Sequence, residues 1–378
     1  MRDLTSNPPP PRQHAVPAAR ARRAARKQAQ GGFWKRFWRR VQLVLLVLVA
    51  LAGLGAALLY RQANIVAGAA VVADARGNPS VASPLIGGTN ILIVGVDERP
   101  DHPEEGVRSD TLMLVRLDAA TGRAALLSIP RDTQVDVVDI GTTKINVAYG
   151  QGYALAEQYF GPGTTPQQGG MALATQTTEH FLGLSSRGMR IDYTMQINFD
   201  GFVSVIDALG GITIDVPVHI IDDAYPTEDF GYMRVEFFPG PQQMDGQTAL
   251  IYARTRHADS DFGRAERQQQ VVRAIAAELQ SRGWAGRLAA MPALLESVAA
   301  EEGQPTPFMT TLPIDRPDVL FGMALLGARL DPNEIQQLRI TPETVPLVAE
   351  IGSNLVWDPA GVDQLVDQFF RGPPPARE

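Results

Sequence analysis

The sequence predicts an α/β domain. Three observations lead there: short apolar runs of strand length, longer runs with apolar residues at helical spacing, and glycines that stop one kind of segment before the next begins. The chain has 378 residues, 45% hydrophobic and 20% charged, an ordinary globular mixture that can bury a sizeable core. It has no cysteine, which excludes disulfides, thiol nucleophiles and cysteine-ligated zinc or iron–sulfur centres.

The folded unit is expected to begin near Asn90. Ile91 to Val96 reads as a buried strand that delivers Asp97 to its C-terminal edge, where α/β sheets tend to place their sites. Thr111 to Leu117 and Ala124 to Ile129 read as a hairpin around the turn Asp118-Ala-Ala-Thr-Gly122, with Asp110 just before one strand and Arg131 just after the other, hence at the same end. Gly169 to Leu182 reads as a helix. From Met189 to Phe199 apolar and polar residues alternate strictly, the pattern of a half-exposed strand. A helix, Asp200 to Leu209, follows and stops at Gly210-Gly211, after which Ile212 to Val216 resumes as strand. Gly246 to Arg254 suits a short helix. Arg264 to Arg282 suits a long one closed by Gly283, with Val271, Val272, Ile275, Ala276 and Leu279 toward the core. Further helices are expected near 287–300, 318–330 and 360–370, in a C-terminal part (283–378) that completes the same domain.

The N-terminal end differs from the rest. Residues 1–40 carry eleven Lys/Arg against one acid, Asp3, while the remainder sums to −17. Val41 to Tyr60 is apolar apart from Gln42 and is long enough for a bilayer core at ~1.5 Å per residue. The expectation is a basic, disordered cytoplasmic tail (1–40), one transmembrane helix (41–60), a linker rich in Ala, Gly, Ser and Pro (61–89) and an extracytoplasmic domain. Trp34 and Trp38 among Lys35, Arg36, Arg39 and Arg40 fit an interfacial anchor. The leader before the apolar run is too long for a signal peptide, and the acidic outer domain disfavours nucleic acid as a partner.

Two segments carry the chemistry. One contains Asp97, Arg108, Asp110, Arg131 and Asp132; the other contains Arg254, Arg256, Arg264, Arg267 and Gln268. Guanidinium forks match phosphate oxygens and carboxylates suit Mg²⁺, so together they suggest a metal-bound diphosphate. Arg264 and Gln268, spaced i, i+4, share one face at the start of their helix, where free N–H groups favour anions. Arg267 either joins them or points outward to Glu266 or solvent. No Rossmann or P-loop glycine motif, nucleophile elbow or His-Glu-x-x-His helix is present. The five histidines (His14, His102, His180, His219, His257) are scattered, with structural or solvated roles as the default; only His257 lies within an arginine segment. The acidic stretch Glu98 to Glu105 reads as a solvated loop, and Tyr153 to Gln168 and the loop Asp222 to Asp229 as candidates to shape access to the site.

The pieces NILIVGVD, RSDTLMLVRLD, LLSIPRDT, KIN (Lys144 to Asn146), FDGFVSVIDALGGITIDVP and ARTRHADSDFGRAERQQQ, in this order over 90–282, resemble the LytR-CpsA-Psr family of membrane-anchored cell-wall enzymes. The resemblance implies a three-layer α/β/α fold with a central mixed sheet and an apolar cavity for a lipid tail. It also implies a phosphotransferase that moves a glycopolymer from a polyprenyl-pyrophosphate carrier to a peptidoglycan hydroxyl at the membrane. Carried over residue by residue, Asp97 and Asp110 match the acidic pair that holds Mg²⁺ (or Mn²⁺), and Arg108, Arg131, Arg254, Arg256, Arg264 and Gln268 surround the diphosphate. Lys144, Asn146 and Arg267 join the substrate-binding set. Asp110 or Asp132 is the candidate general base. Two alternatives stand beside this: a polyprenyl-pyrophosphate hydrolase using the same residues, and a noncatalytic lipid-binding or transcription-attenuating regulator, against which the complete Asp/Arg set argues.

Overall fold

The computed structural model describes residues 71–77, 88–97, 106–227, 231–256, 260–297, 306–314 and 316–371, with scattered positions between 60 and 70. The basic tail, the 41–59 part of the expected membrane span, the acidic stretch 98–105, His14, His102, His257 and Asp259 lie outside the described residues. Among the described residues no helix is long and apolar enough to cross a membrane.

A six-stranded mixed sheet organises the domain, in the spatial order Phe308–Thr310, Tyr193–Ile197, Gly88–Asp97, Arg108–Asp118, Arg123–Ile129, Gln336–Arg339. Its centre is β1 (Gly88–Asp97), β2 (Arg108–Asp118) and β3 (Arg123–Ile129), paired antiparallel, with β2 and β3 forming the hairpin that the apolar runs predict. Next to them come two ribbon strands, β4 (Gln134–Val137) and β5 (Gly141–Lys144), then helices α1 (Val147–Ala154), α2 (Ala156–Phe160) and α3 (Pro166–Phe181). Helix α3 starts three residues earlier than the hydrophobic pattern indicates. Thr165 and Gln168 form a reciprocal capping box there, and Pro166 follows the cap, where its missing N–H costs nothing.

Strand β6 (Tyr193–Ile197) runs parallel to β1 and is shorter than the alternation from Met189 to Phe199 suggests. It is also not half-exposed. Thr194 and Gln196 are buried because α1 and α3 supply partners: Tyr149 Oη donates to Gln196 Oε1 at 2.6 Å, and the Thr175 and Thr194 hydroxyls meet at 2.7 Å. Phe199 already belongs to α4 (Phe199–Ala208), which ends at Gly210 and Gly211, both with positive φ.

Two hairpin-like ribbons follow: β7 (Ile212–Val216) with β10 (Gly240–Met244), and β8 (Ile220–Pro226) with β9 (Tyr232–Phe237). The expected loop at Asp222 is therefore strand as far as Pro226, and residues 228–230 lie outside the described residues. Then come α5 (Gly246–Arg254), α6 (Asp261–Ser281), α7 (Gly283–Ser297), β11 (Phe308–Thr310), α8 (Pro317–Arg329), β12 (Gln336–Arg339), the pair β13 (Leu347–Ile351) and β14 (Asn354–Trp357), and α9 (Pro359–Arg371). Residues 283–378 are thus not only helical. Their strands β11 and β12 become the two edges of the central sheet.

Alternation along β1 to β3 sorts the core into two faces. Leu92, Val94, Leu112, Leu114 and Leu127 pack with α1, α3 and α9, while Ile91, Met113, Val115 and Leu126 pack toward Val272 and Ala276 of α6 and Val319 of α8. Helix α6 also closes a second core with α4, α5 and the two ribbons, through Val271 and Ala274. The linker is not a free tether throughout. Val71 bridges to Thr310, and half-buried Arg76 pairs with Asp74 at 2.7 Å and Glu179 of α3 at 3.2 Å.

Candidate active site

A cavity of about 970 Å³ lies between the sheet and the α4–α6 side of the domain. Eleven of the twelve sequence-predicted residues line it: Asp97, Arg108, Asp110, Arg131, Asp132, Lys144, Asn146, Arg254, Arg256, Arg264 and Gln268. The cavity is graded from charged to apolar. Along α6 the lining runs Arg264, Gln268, Val271, Val272 and Ile275, one helical face over ~16 Å. The same gradient runs down β1 from Asp97 through Gly95 to Ile93, and down β2 from Arg108 and Asp110 to Thr111 and Met113. Phe199, Phe202 and Leu250 complete the apolar part.

A β-bulge brings the β2 residues to the cavity. Met113 and Thr111 oppose Ile93 and Gly95, but Ser109 opposes Val96 and Arg108 opposes Asp97, which leaves Asp110 as an extra residue without a partner on β1. In an unbroken ladder Ser109 would oppose Asp97, and Arg108 and Asp110 would face the opposite core. The bulge reverses the parity of β2, so that Arg108 and Asp110 share the cavity with Met113. Asp110 therefore lies inside a strand that starts at Arg108, not just ahead of one that starts at Thr111. Gly95 permits the pairing there, since a Cβ on it would come within 2.8 Å of the Thr111 Cβ.

The turn after β3 carries Arg131 and Asp132. Arg131 Nη1 donates to Asp110 Oδ1 at 2.8 Å, and its guanidinium also lies 3.6 Å from Asp132 and 3.8 Å from Asp261. Burial works to lower the Arg131 pKa, but Asp110 and Asp261 outweigh it and raise the group above its ordinary value. Its buried Nε makes no hydrogen bond, an unused donor at the cavity wall. Lys144 Nζ reaches Asp132 Oδ1 at 2.5 Å. Asn146 is bound by its backbone to both neighbouring segments, its N–H donating to the Arg131 carbonyl at 3.3 Å and its own carbonyl accepting from Ser109 Oγ at 3.4 Å.

The other wall comes from α5 and α6. Ser260 caps α6, so the helix begins at Asp261 and Arg264 sits one turn in, not at its first residue. Arg264 Nη1 pairs with Asp261 at 2.9 Å and Nη2 donates to the Asp110 carbonyl at 3.4 Å. Burial lowers the Arg264 pKa. Asp261 opposes that, while the nearby Arg131 and Arg256 add to it. Arg264 is thus a buried cation, paired with Asp261, that has two other guanidiniums nearby, a setting that suits an anionic ligand. Arg254 lies over the Phe199 ring at 4.1 Å and the Tyr225 ring at 5.7 Å. The Arg256 N–H donates to Asp222 Oδ2 at 3.2 Å.

Arg267 is the exception. It lies outside the cavity lining, and it points neither to Glu266 nor to solvent; it is buried and donates to the Thr255 carbonyl between Arg254 and Arg256. Sequence reasoning did not single out Asp261, Phe199, Tyr225 or Asp222 as supports. Of these only Asp261 left a signal, its i, i+3 spacing to Arg264 behind a serine cap. His219 pairs with Glu236 at 2.8 Å, away from the cavity lining.

Comparisons with known proteins address the family and the fold. Bacillus subtilis TagV, a polyisoprenyl-teichoic acid–peptidoglycan teichoic acid transferase, is 33% identical over 258 residues, covering 65% of this chain and 59% of that protein. TagU of Halalkalibacterium halodurans, which carries the same transferase name, is 36% identical over 189 residues, covering 49% of this chain and 51% of that protein. The chain thus spans between half and three-fifths of the length of these relatives. Among solved structures, B. subtilis TagV superposes with a TM-score of 0.53 at 24% identity, covering 76% of this chain and 98% of that one. TagT bound to LIIa-WTA gives 0.53 at 22%, covering 79% and 97%. These two share the mixed α/β fold with a central mixed sheet. The LytR-CpsA-Psr family model matches residues 61–338, most of the chain, and the protein belongs to that family.

Proposed function

We propose that this protein is a membrane-anchored phosphotransferase that moves a glycopolymer from a polyprenyl-pyrophosphate carrier onto a hydroxyl of peptidoglycan. The observation that carries the reading is the gradient of the cavity: a cluster of guanidiniums and carboxylates at one end and an apolar channel at the other, matched to a diphosphate head and a prenyl tail. The transferase names of the family relatives support it. The anchor is the apolar run 41–60, with the basic tail on the cytoplasmic side and the domain outside. Confining enzyme and donor to one bilayer raises the effective concentration of the donor.

Arg108, Arg131, Arg254, Arg256 and Arg264 neutralise the diphosphate and the charge that builds on the leaving group. The acceptor oxygen forms a bond to the sugar-linked phosphorus, the phosphoanhydride bond to that phosphorus breaks, and polyprenyl phosphate leaves. The hydroxyl proton passes to a carboxylate, for which Asp132 is our choice because Lys144 holds it at the cavity wall. Energy comes from the anhydride itself, so no nucleotide is required. Asp97 and Asp110 are hard oxygen donors on adjacent strands, a set that fits Mg²⁺ or Mn²⁺. Among the described residues no group of three or more such side chains forms a complete metal cage, so the two carboxylates would share the ion with water and substrate oxygens. When bound, the metal supplies charge neutralisation at the diphosphate.

The test incubates the full chain in detergent with a farnesyl-diphosphoryl glycan, Mg²⁺ and soluble peptidoglycan fragments, and identifies products by mass. The expected product is the glycan phosphodiester of the fragment together with farnesyl phosphate. Equal release of farnesyl phosphate with and without fragments, and no joined product, would make the protein a hydrolase; no turnover at all would favour the regulatory reading.

A further inference from the structure

The geometry points to Asn146 as the contact for the acceptor hydroxyl, placing the acceptor subsite on the α1 wall of the cavity, opposite the arginines of α5 and α6. The inference rests on the transferase reading and extends it to a subsite.

Asn146 lines the cavity and is only 8% exposed, yet its Oδ1 is buried with no hydrogen-bond partner among the described residues. Buried side-chain acceptors in native proteins are nearly always satisfied, because an orphaned one forfeits the water it gave up. Asn146 is also the N-cap residue of the eight-residue helix α1, where an asparagine side chain normally accepts from a free N–H of the first turn. Here it does not. Its backbone sits in the helical region, φ −67° and ψ −17°, and the side chain makes no cap. Cap and core thus both leave the same oxygen without a partner among the described residues, in a residue that lines the cavity.

What enters must be a donor. A diphosphate presents only acceptor oxygens to protein and metal, so it cannot satisfy an amide oxygen. A sugar hydroxyl can. The position suits that role, because the Asn146 backbone is tied to the carbonyl of Arg131 on one side and to Ser109, between Arg108 and Asp110, on the other. An acceptor oxygen held by Asn146 is therefore beside the diphosphate-binding cations. Two residues earlier Lys144 pairs with Asp132, the carboxylate proposed to take the proton. The wall itself is closely packed. Gly150 of α1 lies directly against the Val107 carbonyl, where a side-chain carbon would collide, so the start of the helix sits against the beginning of β2.

The test is steady-state transfer by the full chain in detergent, with a farnesyl-diphosphoryl disaccharide as donor and soluble peptidoglycan fragments as acceptor, alongside donor binding measured by titration. Asn146→Ala is expected to raise the acceptor KM roughly three- to tenfold, the loss of one hydrogen bond to an uncharged group. Donor affinity should stay within twofold, which also shows the variant is folded. Asn146→Leu, which fills the same volume without an acceptor, should behave likewise. The inference is overturned if either variant binds donor several-fold more weakly while the acceptor KM stays put, since the amide would then serve a hydroxyl of the donor's own sugar. It is overturned equally if both constants are unchanged. Absence of transfer by the unaltered chain would instead count against the transferase reading.

Discussion

Arg131→Met is the substitution whose consequences the site defines most fully. The Arg131 side chain is 19% exposed and faces three carboxylates, with Asp110 at 2.8 Å, Asp132 at 3.6 Å and Asp261 at 3.8 Å. Methionine fills similar volume but removes the cation. Asp132 keeps Lys144 and Asp261 keeps Arg264, so Asp110 bears most of the loss. One charge-assisted hydrogen bond in a half-buried setting is worth about 1.5–3 kcal/mol, and Asp110 retains access to water through the cavity, which limits the penalty. The expected destabilisation is about 1–3 kcal/mol, or a fall in Tm of roughly 2–10 °C for a domain of this size. Loss of a preorganised cation at the diphosphate should lower kcat by roughly 10²–10³. Arg131→Lys should recover most of the stability but only part of the rate, since an ammonium cannot make the two-pronged contact. Thermal unfolding and donor turnover on the same preparations check both. A methionine variant with wild-type Tm and wild-type turnover would refute the reasoning, because the three carboxylates would then not depend on this guanidinium.

Phe199→Leu, which removes the ring beneath Arg254 at 4.1 Å, should weaken donor binding several-fold and leave Tm nearly unchanged, as read by titration with a prenyl diphosphate. Gly152→Ala places a carbon against the Gly169 carbonyl and 2.7 Å from the Leu173 Cβ, so it should force α1 from α3 and cost about 1–3 kcal/mol by denaturant unfolding. Asp245→Ala removes the α5 cap, in which the carboxylate accepts from the Thr248 N–H at 2.8 Å, at about 1 kcal/mol at neutral pH. The Thr248 hydroxyl and N–H hold Asp245 below the ordinary aspartate value. Its contribution is therefore present above the unfolded-state pKa and is lost as pH falls through the lower folded-state value. The variant's stability should fall less steeply than wild type over that acid range, measured by unfolding at a series of pH values.

The parts of the fold that can be read from sequence are those whose pattern is local. The apolar runs of β1, β2 and β3, the capped helix Gly246–Arg254 and the Gly210-Gly211 stop need nothing distant to form. What escapes is set by partners far along the chain. The polar half of β6 reads as solvent-facing until Tyr149 and Thr175 bury it, and the three-residue β11 and four-residue β12 become strands only because β6 and β3 offer free edges. The bulge at Asp110 leaves no trace in a period-two pattern, yet it decides which way Arg108 and Asp110 face. The site is similar. Residue type and spacing point to the lining groups, whereas Phe199, Tyr225 and Asp261 matter through contacts that only the tertiary structure creates. Arg267 shows the converse, an arginine in the motif that braces the Thr255 backbone instead of lining the cavity.

The central claim, that the two arginine segments and the Asp97–Asp110 pair grip one diphosphate above an apolar channel, is tested most directly by a crystal structure with a prenyl-diphosphoryl sugar bound. The account predicts the diphosphate between Asp97 and Asp110 on one side and Arg254, Arg256 and Arg264 on the other, with the prenyl chain along Phe202, Val271 and Ile275. A diphosphate held away from either arginine segment, or a prenyl chain lying outside the cavity, would contradict it.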